Sequence, residues 1–219
     1  MSENQSHTSE FLKGAVPPKD LKTFYIIRHG DTLKYSRNGQ IVPAEKEING
    51  VKHWYTQGGG NDNPLSKEGR AQAEALAPLI AKEPITKIWC SPASRAQETA
   101  KLANVRNIEM ETDDNLKEVH YGKWEYDYAP VSVFTGEDPD TQDSGQYSAN
   151  AMEGLKHCCE EGQAIFSHGN FLRTVGGALG VELSRADCGN AQLLRFAYED
   201  GRWTVTNLSA IHATQETDI

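Results

Sequence analysis

Short apolar segments alternate with stretches of helical periodicity along most of this 219-residue chain. The predicted strands span 23–27, 85–90, 107–111 and 163–167, and the predicted helices span 66–83, 91–102, 145–161 and 170–179. This alternation favours an α/β fold in which helices cover a mainly parallel sheet. Two final strands, 191–198 and 202–208, flank Asp200–Gly201 and predict a hairpin that extends the sheet at one side.

The chain length suits one domain, which we place at residues 23–219. Residues 1–22 are polar and lack periodicity, so they are predicted to form a flexible N-terminal arm. Two polar, turn-rich insertions are predicted at about 34–63 and 125–150. The first is interpreted as a long excursion over the surface, and the sequence leaves open whether it closes over a substrate.

The composition excludes several classes of function. The chain carries 31 acidic and 22 basic residues, a net charge of -9, which argues against a nucleic-acid partner. It has no run close to the roughly 20 apolar residues that span a membrane, and its first residues lack the apolar core of a signal peptide, so we expect a cytoplasmic protein. The four cysteines lack paired C-x-x-C spacing, and neither zinc nor another metal or cofactor is expected.

Charged residues follow several predicted strands at the point where each strand ends. Arg28–Gly30 follows the first strand, Arg95 follows the second, and His168–Asn170 follows the strand 163–167. Because the carboxyl ends of parallel strands meet at one edge of a sheet, two arginines and two histidines are predicted to form a cationic pocket there. Such a pocket suits a dianionic phosphoryl group.

A proton donor is still needed for chemistry on a phosphate ester. Glu118 lies in a polar stretch between predicted elements and is the best-placed candidate. Glu125 and Asp127 lie close by in sequence and are the alternatives.

The motifs around these residues resemble those of the histidine phosphatase superfamily, also called phosphoglycerate mutase-like. The matching segments are Arg28–Thr32, Leu65–Ala73, Ser91–Ala100 and Ser167–Asn170. Their order and spacing also fit, and the resemblance extends from about Phe24 to Gly180. Asp31 is a mild departure, since the family more often has Glu or Gln there. The resemblance implies a three-layer sandwich with helices on both faces of the sheet.

The resemblance also implies roles for individual residues. His29 would be the nucleophile that carries the phosphoryl group as phosphohistidine, and Glu118 would act as general acid and base. The implied phosphate-binding residues are Arg28, Arg95, His168, Thr32 and Gly169. The Thr32 hydroxyl either contacts the phosphate or only caps its loop. No metal is required for this chemistry.

The segment 125–155 bears on which reaction occurs, because mutases of this family need extra cations after the acid/base region. It contains no Lys or Arg, and its acidic residues include Asp127, Glu137, Asp138, Asp140, Asp143 and Glu153. We therefore expect a metal-independent phosphatase of a small phosphomonoester with a neutral leaving group, such as a sugar or other alcohol phosphate. The alternatives are a cofactor-dependent phosphoglycerate mutase and a phosphate-binding module without turnover.

Overall fold

The computed structural model describes residues 15–134 and 138–211. The strands are β1 (Phe24–Arg28), β2 (Glu45–Ile48), β3 (Val51–Tyr55), β4 (Lys87–Cys90), β5 (Glu109–Thr112), β6 (Tyr128–Ala129), β7 (Gln163–Ser167), β8 (Leu193–Glu199) and β9 (Arg202–Asn207). The helices are α1 (Lys67–Ala75), α2 (Ala77–Lys82), α3 (Ser94–Ala103), α4 (Ser144–Leu155) and α5 (Gly169–Ala178). Short 3-10 turns span Asp114–Leu116, Gly122–Trp124, Val131–Phe134 and Lys156–Cys159.

A six-stranded sheet with the order β5-β4-β7-β1-β8-β9 forms the centre of the molecule. The first four of these strands are parallel, and β8 and β9 pair antiparallel at one side. The predicted mainly parallel sheet and its terminal hairpin are therefore confirmed. The hairpin turns at Asp200 and Gly201, whose φ values of 52° and 80° fit the tight turn that joins twisted antiparallel strands.

Helices cover both faces of this sheet, as the family resemblance implied. Side chains alternate along a strand, so Phe24 and Ile26 of β1 pack with α4 and α5, whereas Tyr25 and Ile27 pack with α2 and α3 on the opposite face. Burial of these two apolar layers fixes the register of β1, because a shift by one residue would exchange its faces. The carboxyl end of β1 is thereby held in one place.

The insertion at 34–63 is more ordered than the predicted surface excursion. Strands β2 and β3 form a hairpin, and β3 also pairs with β6 to give a second, three-stranded sheet. Asn49 and Gly50 form its turn with φ values of 53° and 77°. An Asn-Gly pair is a strong hairpin signal. The strands on either side of this pair are polar and largely exposed, so apolar periodicity does not predict the hairpin.

The two ends of the predicted arm differ in what can be described. Residues 1–14 lie outside the described part of the chain. Leu21 is buried, and the backbone N–H of Lys22 donates to the carbonyl of Cys158 at 2.9 Å, so this end of the segment packs on the domain.

The insertion at 125–150 contains β6, a 3-10 turn and the start of α4, while residues 135–137 are not described. Among the described residues, none of the helices has the length and apolar character to cross a bilayer.

Candidate active site

Two histidines lie side by side where adjacent parallel strands end. Arg28, the last residue of β1, is paired with Ser167, the last residue of β7. The following N–H, that of His29, donates to the Ser167 carbonyl at 3.1 Å and continues the pairing by one residue. The rings of His29 and His168 consequently meet edge to face, with centroids 5.2 Å apart. The convergence predicted from the strand ends is present.

The His29 ring has a defined hydrogen-bonding arrangement. It is 4 % exposed, and its Nδ1 lies 2.8 Å from the carbonyl oxygen of Gly30. A carbonyl can only accept, so Nδ1 carries the proton and the lone pair belongs to Nε2. Burial, together with the charges of Arg95 and Arg28, lowers the pKa of His29 well below its usual value. The imidazole is therefore neutral at physiological pH and can act as a nucleophile.

Arg95 is wholly buried and bound by a loop. Its Nη1 donates to the Asn61 carbonyl at 2.9 Å, and its Nη2 donates to the Gly58 carbonyl at 3.2 Å. The same Nη2 lies 3.3 Å from Nδ1 of His168. We call residues 58–61 the glycine loop, because three of the four are glycine.

Arg28 and Arg95 each have an N–H group that lacks a hydrogen-bond partner among the described residues. Nη1 of Arg28 donates to the Cys188 carbonyl at 2.6 Å. Within the described residues, the Nε of each arginine is buried without a hydrogen-bond partner, and neither guanidinium forms an ion pair. Burying a cation without a direct ion pair is costly. Two such cations beside two histidines form a site for a small anion.

Glu118 reaches the beginning of α5 from the other side. Its Oε1 accepts from the Val119 N–H at 2.9 Å and from the Tyr147 hydroxyl at 3.3 Å. Its Oε2 accepts from the Asn170 N–H at 3.3 Å, in the first turn of α5. Glu118 is 9 % exposed, and its charge acts on both Arg28 and Arg95. Glu118 thus borders the anion site.

The remaining predicted residues, Thr32 and Gly169, occupy different surroundings. The Thr32 hydroxyl donates to Oε1 of Gln57 at 2.6 Å, so its proton is held within the loop. Gly169 opens α5, and a Cβ built there would lie 3.1 Å from Nη1 of Arg173 and 3.5 Å from Nε of Arg28. Gly169 therefore lies within van der Waals distance of the Arg28 guanidinium.

Comparison with known sequences decides the family. The profile described as Histidine phosphatase superfamily (branch 1) matches residues 24–210. The chain belongs to this superfamily. An agropine synthesis reductase of Rhizobium rhizogenes is 36% identical over 196 residues, which are 90% of this chain and 44% of that protein. The chain thus spans less than half the length of that relative. A probable phosphoglycerate mutase of Yersinia pestis is 29% identical over 133 residues, 60% of this chain and 52% of that protein.

Solved structures of this superfamily share the fold. Phosphoglycerate mutase from Bacillus anthracis superposes with a TM-score of 0.63 at 18% identity, covering 89% of this chain and 97% of that one. A mycobacterial glucosyl-3-phosphoglycerate phosphatase gives 0.55 at 20% identity, covering 85% and 97%. A mutase and a phosphatase both occur among these neighbours, so the shared fold does not choose between the two reactions.

Three contributors to this superfamily site were missed at the sequence level. Ser91 accepts from Nε2 of His168 at 2.8 Å, because Nδ1 of that ring already accepts from Arg95. Gln57, which binds Thr32, has a buried Nε2 without a partner among the described residues. The glycine loop holds Arg95, although its composition suggested only a surface turn. Its signal was the run of glycines, which indicates a close backbone approach: a Cβ on Gly59 would lie 2.3 Å from the Glu118 carbonyl oxygen.

Proposed function

We propose that this chain is a metal-independent phosphomonoesterase that works through a phosphohistidine intermediate. The proposal is carried by one observation: a neutral, oriented imidazole lies beside two guanidinium groups that each have a buried N–H without a partner among the described residues. A phosphoryl group supplies a directly bound negative charge and the missing acceptors at once. The guanidinium groups then stabilise the charge on the equatorial oxygens in the transition state.

The reaction would proceed in two displacements. Nε2 of His29 attacks phosphorus in line, the bond from phosphorus to the ester oxygen breaks, and protonated Glu118 gives its proton to the leaving oxygen. The bond from Nδ1–H to the Gly30 carbonyl stabilises the positive charge that develops on the ring. Water then attacks phosphorus and gives a proton to the Glu118 carboxylate. The bond from nitrogen to phosphorus breaks, and its electron pair returns to Nε2.

The choice of Glu118 as acid is supported by what surrounds the alternatives. Both oxygens of Glu125 are filled by four N–H donors, so this carboxylate has no lone pair left for a substrate proton. Asp127 is exposed and accepts from the Tyr128 N–H. Glu118 alone among the three binds the first turn of α5, which follows His168.

Hydrolysis is favoured over transfer to a second substrate hydroxyl by the segment 125–155, which contributes no cation. Several of its acidic groups have local partners: Asp143 caps α4, Asp138 accepts from the Trp124 indole, and Asp140 pairs with Lys123. A neutral, hydroxylated leaving group such as a sugar or other alcohol is therefore the proposed substrate moiety.

A mutase-type transfer is the second candidate, and Arg173 is the observation that favours it. Arg173 is exposed and lies one turn into α5. A Cβ built on Gly169 would lie 3.1 Å from Nη1 of Arg173 and 3.5 Å from Nε of Arg28, so both guanidinium groups lie beside Gly169. A cation there could receive a second anionic group on the substrate, such as the carboxylate of a phosphoglycerate.

The deciding experiment is hydrolysis of p-nitrophenyl phosphate with EDTA present, from about pH 5 to 8. His29→Ala should lose roughly three orders of magnitude in rate or more, since it removes the nucleophile. His53→Ala, on the exposed β2–β3 hairpin, is the matched control and should keep full activity. Activity that survives His29→Ala would refute the phosphohistidine route. No activity in the intact chain, but phosphate binding, would point to the module without turnover.

Two further assays separate the remaining alternatives. Turnover of sugar monophosphates well above that of sugar bisphosphates is expected for a neutral leaving group. Conversion of 3-phosphoglycerate to 2-phosphoglycerate in the presence of a trace of bisphosphoglycerate would instead establish the mutase.

A further inference from the structure

We propose that Glu125 is a positioning residue: it fastens the glycine loop, and through that loop it fixes Arg95 for phosphate binding. The proposal rests on the proposed function in one respect, which is that the anion held by Arg95 is a phosphoryl group. Glu125 itself touches neither the substrate position nor Arg95.

Glu125 binds the glycine loop by its backbone and one side chain. The residue is 6 % exposed. Oε2 accepts from the Gly58 N–H at 3.1 Å and from Nδ2 of Asn61 at 3.0 Å. Oε1 accepts from the Gly60 N–H at 3.1 Å and from the Tyr121 N–H at 2.9 Å. Four donors on one buried carboxylate form charge-assisted bonds, which are stronger than bonds between neutral groups.

The same loop residues face Arg95 with their carbonyl groups. Gly58 gives its N–H to Glu125 and its carbonyl to Nη2 of Arg95. Asn61 gives its side-chain amide to Glu125 and its backbone carbonyl to Nη1. Every loop carbonyl that holds Arg95 thus belongs to a residue held by Glu125. With both Nη atoms fixed in this way, the Nε of Arg95 is left for the anion.

The fit between carboxylate and loop leaves no space for a side chain on Gly58. A Cβ there would lie 2.3 Å from Oε1 of Glu125 and 2.5 Å from the Val119 carbonyl oxygen. A Cβ on Gly60 would lie 2.5 Å from Nε2 of His120. The glycines let the loop lie directly against the segment 118–125, and this close contact makes the position of Arg95 depend on Glu125.

The charge of Glu125 also supports the guanidinium. Burial lowers the pKa of Arg95, and the carboxylates of Glu118, Asp62 and Glu125 oppose that effect. Replacing Glu125 by Gln removes this charge and puts an amide N–H against loop N–H groups. At least one buried donor of the loop is then left without an acceptor, so the loop must shift.

The test measures binding of inorganic phosphate by calorimetry, which needs no turnover, alongside kcat/KM for p-nitrophenyl phosphate. Glu125→Gln should weaken phosphate binding about tenfold or more, by analogy with the roughly 10- to 100-fold cost of losing a group that orients a metal ligand. Asp138→Asn is the matched control: this carboxylate also accepts two N–H donors nearby, from Asp140 and the Trp124 indole, yet it has no bond to the glycine loop. Its phosphate affinity should stay within about twofold of the parent.

A double-variant cycle separates positioning from general loss of stability. Arg95→Lys removes the forked contacts to the loop, so adding Glu125→Gln to it should cost no further phosphate affinity. Additive losses would overturn the proposal, because they would show that Glu125 acts independently of Arg95. Phosphate affinity of Glu125→Gln equal to that of the parent would overturn it too.

A second variant covers the case in which Glu125→Gln fails to fold. Gly58→Ala keeps the Glu125 carboxylate but displaces the glycine loop from it, so it should likewise weaken phosphate binding. Unchanged phosphate affinity would contradict the positioning role of Glu125. Failure of the proposed function gives a different pattern: the parent binds phosphate more tightly than Glu125→Gln but hydrolyses no ester. A parent chain without measurable phosphate affinity would overturn the positioning role itself.

Discussion

The strand ends and the glycine loop both supply the anion site, but they are held in different ways. His29 and His168 each follow a buried strand directly, and the pairing of β1 with β7 places them together. The glycine loop has no regular structure of its own and is tied to Glu125, 64 to 67 residues further along the chain. The position of the His29 ring therefore depends on the sheet, whereas the position of the Arg95 guanidinium depends on contacts between two irregular segments.

This difference predicts that the position of Arg95 and the orientation of the His29 ring can be altered separately. A change in the loop should leave the His29 ring oriented while Arg95 is displaced. A change at the strand ends should disturb the ring itself. The predictions below test how far this separation extends, beginning with the largest expected effect.

Glu118→Gln should show that the irregular segment next to the loop also contributes chemistry. Loss of the proton donor should lower kcat/KM roughly 10² to 10⁴-fold for an alkyl phosphate, whose leaving oxygen needs a proton. The loss should be much smaller for p-nitrophenyl phosphate, because its leaving group is weakly basic. Comparing the two substrates in steady-state assays is the measurement. Equal losses would count against Glu118 as the acid, and Asp127→Asn serves as the control.

Gly30→Ala tests whether the segment that follows β1 also depends on close packing against α1. A Cβ at Gly30 would lie 2.4 Å from the Gly69 carbonyl oxygen of α1, so the loop after His29 must move. We expect the free energy of unfolding in urea to fall by about 1–3 kcal/mol, the usual cost of overpacking. At Gly145 a Cβ would meet only the Asp143 side chain, at 3.2 Å and with no backbone atom from another element nearby, so Gly145→Ala should have a smaller effect. An unchanged stability of Gly30→Ala would mean that this contact adapts freely.

Stability should fall at acid pH because of the two strand-end histidines. Burial, with the charges of the arginines, lowers the pKa of His29 and of His168 well below 6.5, so both stay neutral in the folded chain. Below about pH 6.5 the unfolded chain binds protons that the folded chain does not, so the free energy of unfolding decreases as the pH is lowered. This continues until pH reaches the lowered values, at up to about 1.4 kcal/mol per pH unit for each histidine.

Urea unfolding at several pH values between about 5 and 7 measures this slope. His168→Asn should make the slope shallower, because one of the two groups no longer titrates. His53→Ala is the control for replacing a histidine outside the site, since that ring lies on the exposed hairpin. A His168→Asn slope equal to that of the parent would contradict the assignment.

Ser66→Ala should have the smallest effect and should act on stability rather than on chemistry. The Ser66 hydroxyl accepts from the Gly69 N–H at 3.0 Å as the N-cap of α1, and it donates to Oδ2 of Asp31 at 2.7 Å. Loss of such a cap costs about 1 kcal/mol, measurable as a lower thermal midpoint. Phosphate affinity should be unchanged, because Arg95 and its loop are not involved. A large drop in affinity would show that the strand end and the loop are coupled through α1.

Most regular elements were predictable, and the irregular ones were not. Strand 163–167 was placed to the residue, and the helix at Ser66 begins where its cap indicated, although it breaks into α1 and α2. The β2–β3 hairpin was missed because its strands are exposed and polar, so apolar periodicity gave no signal. Glu125 is one of the alternative proton donors that the sequence offers. Its hydrogen bonds instead show a carboxylate fully occupied by the glycine loop and the Tyr121 N–H.

The amino-acid sequence by itself determined which residues end the buried strands, and the geometry of a parallel sheet then required those residues to meet at one edge. Only the tertiary structure decided which nitrogen of His29 carries the proton and which carboxylate holds the glycine loop. The physical reason is the range of the interactions. Periodicity reports local burial along a strand or helix, whereas the bonds of Glu125 join segments more than 60 residues apart and depend on loop conformations that no periodic pattern encodes.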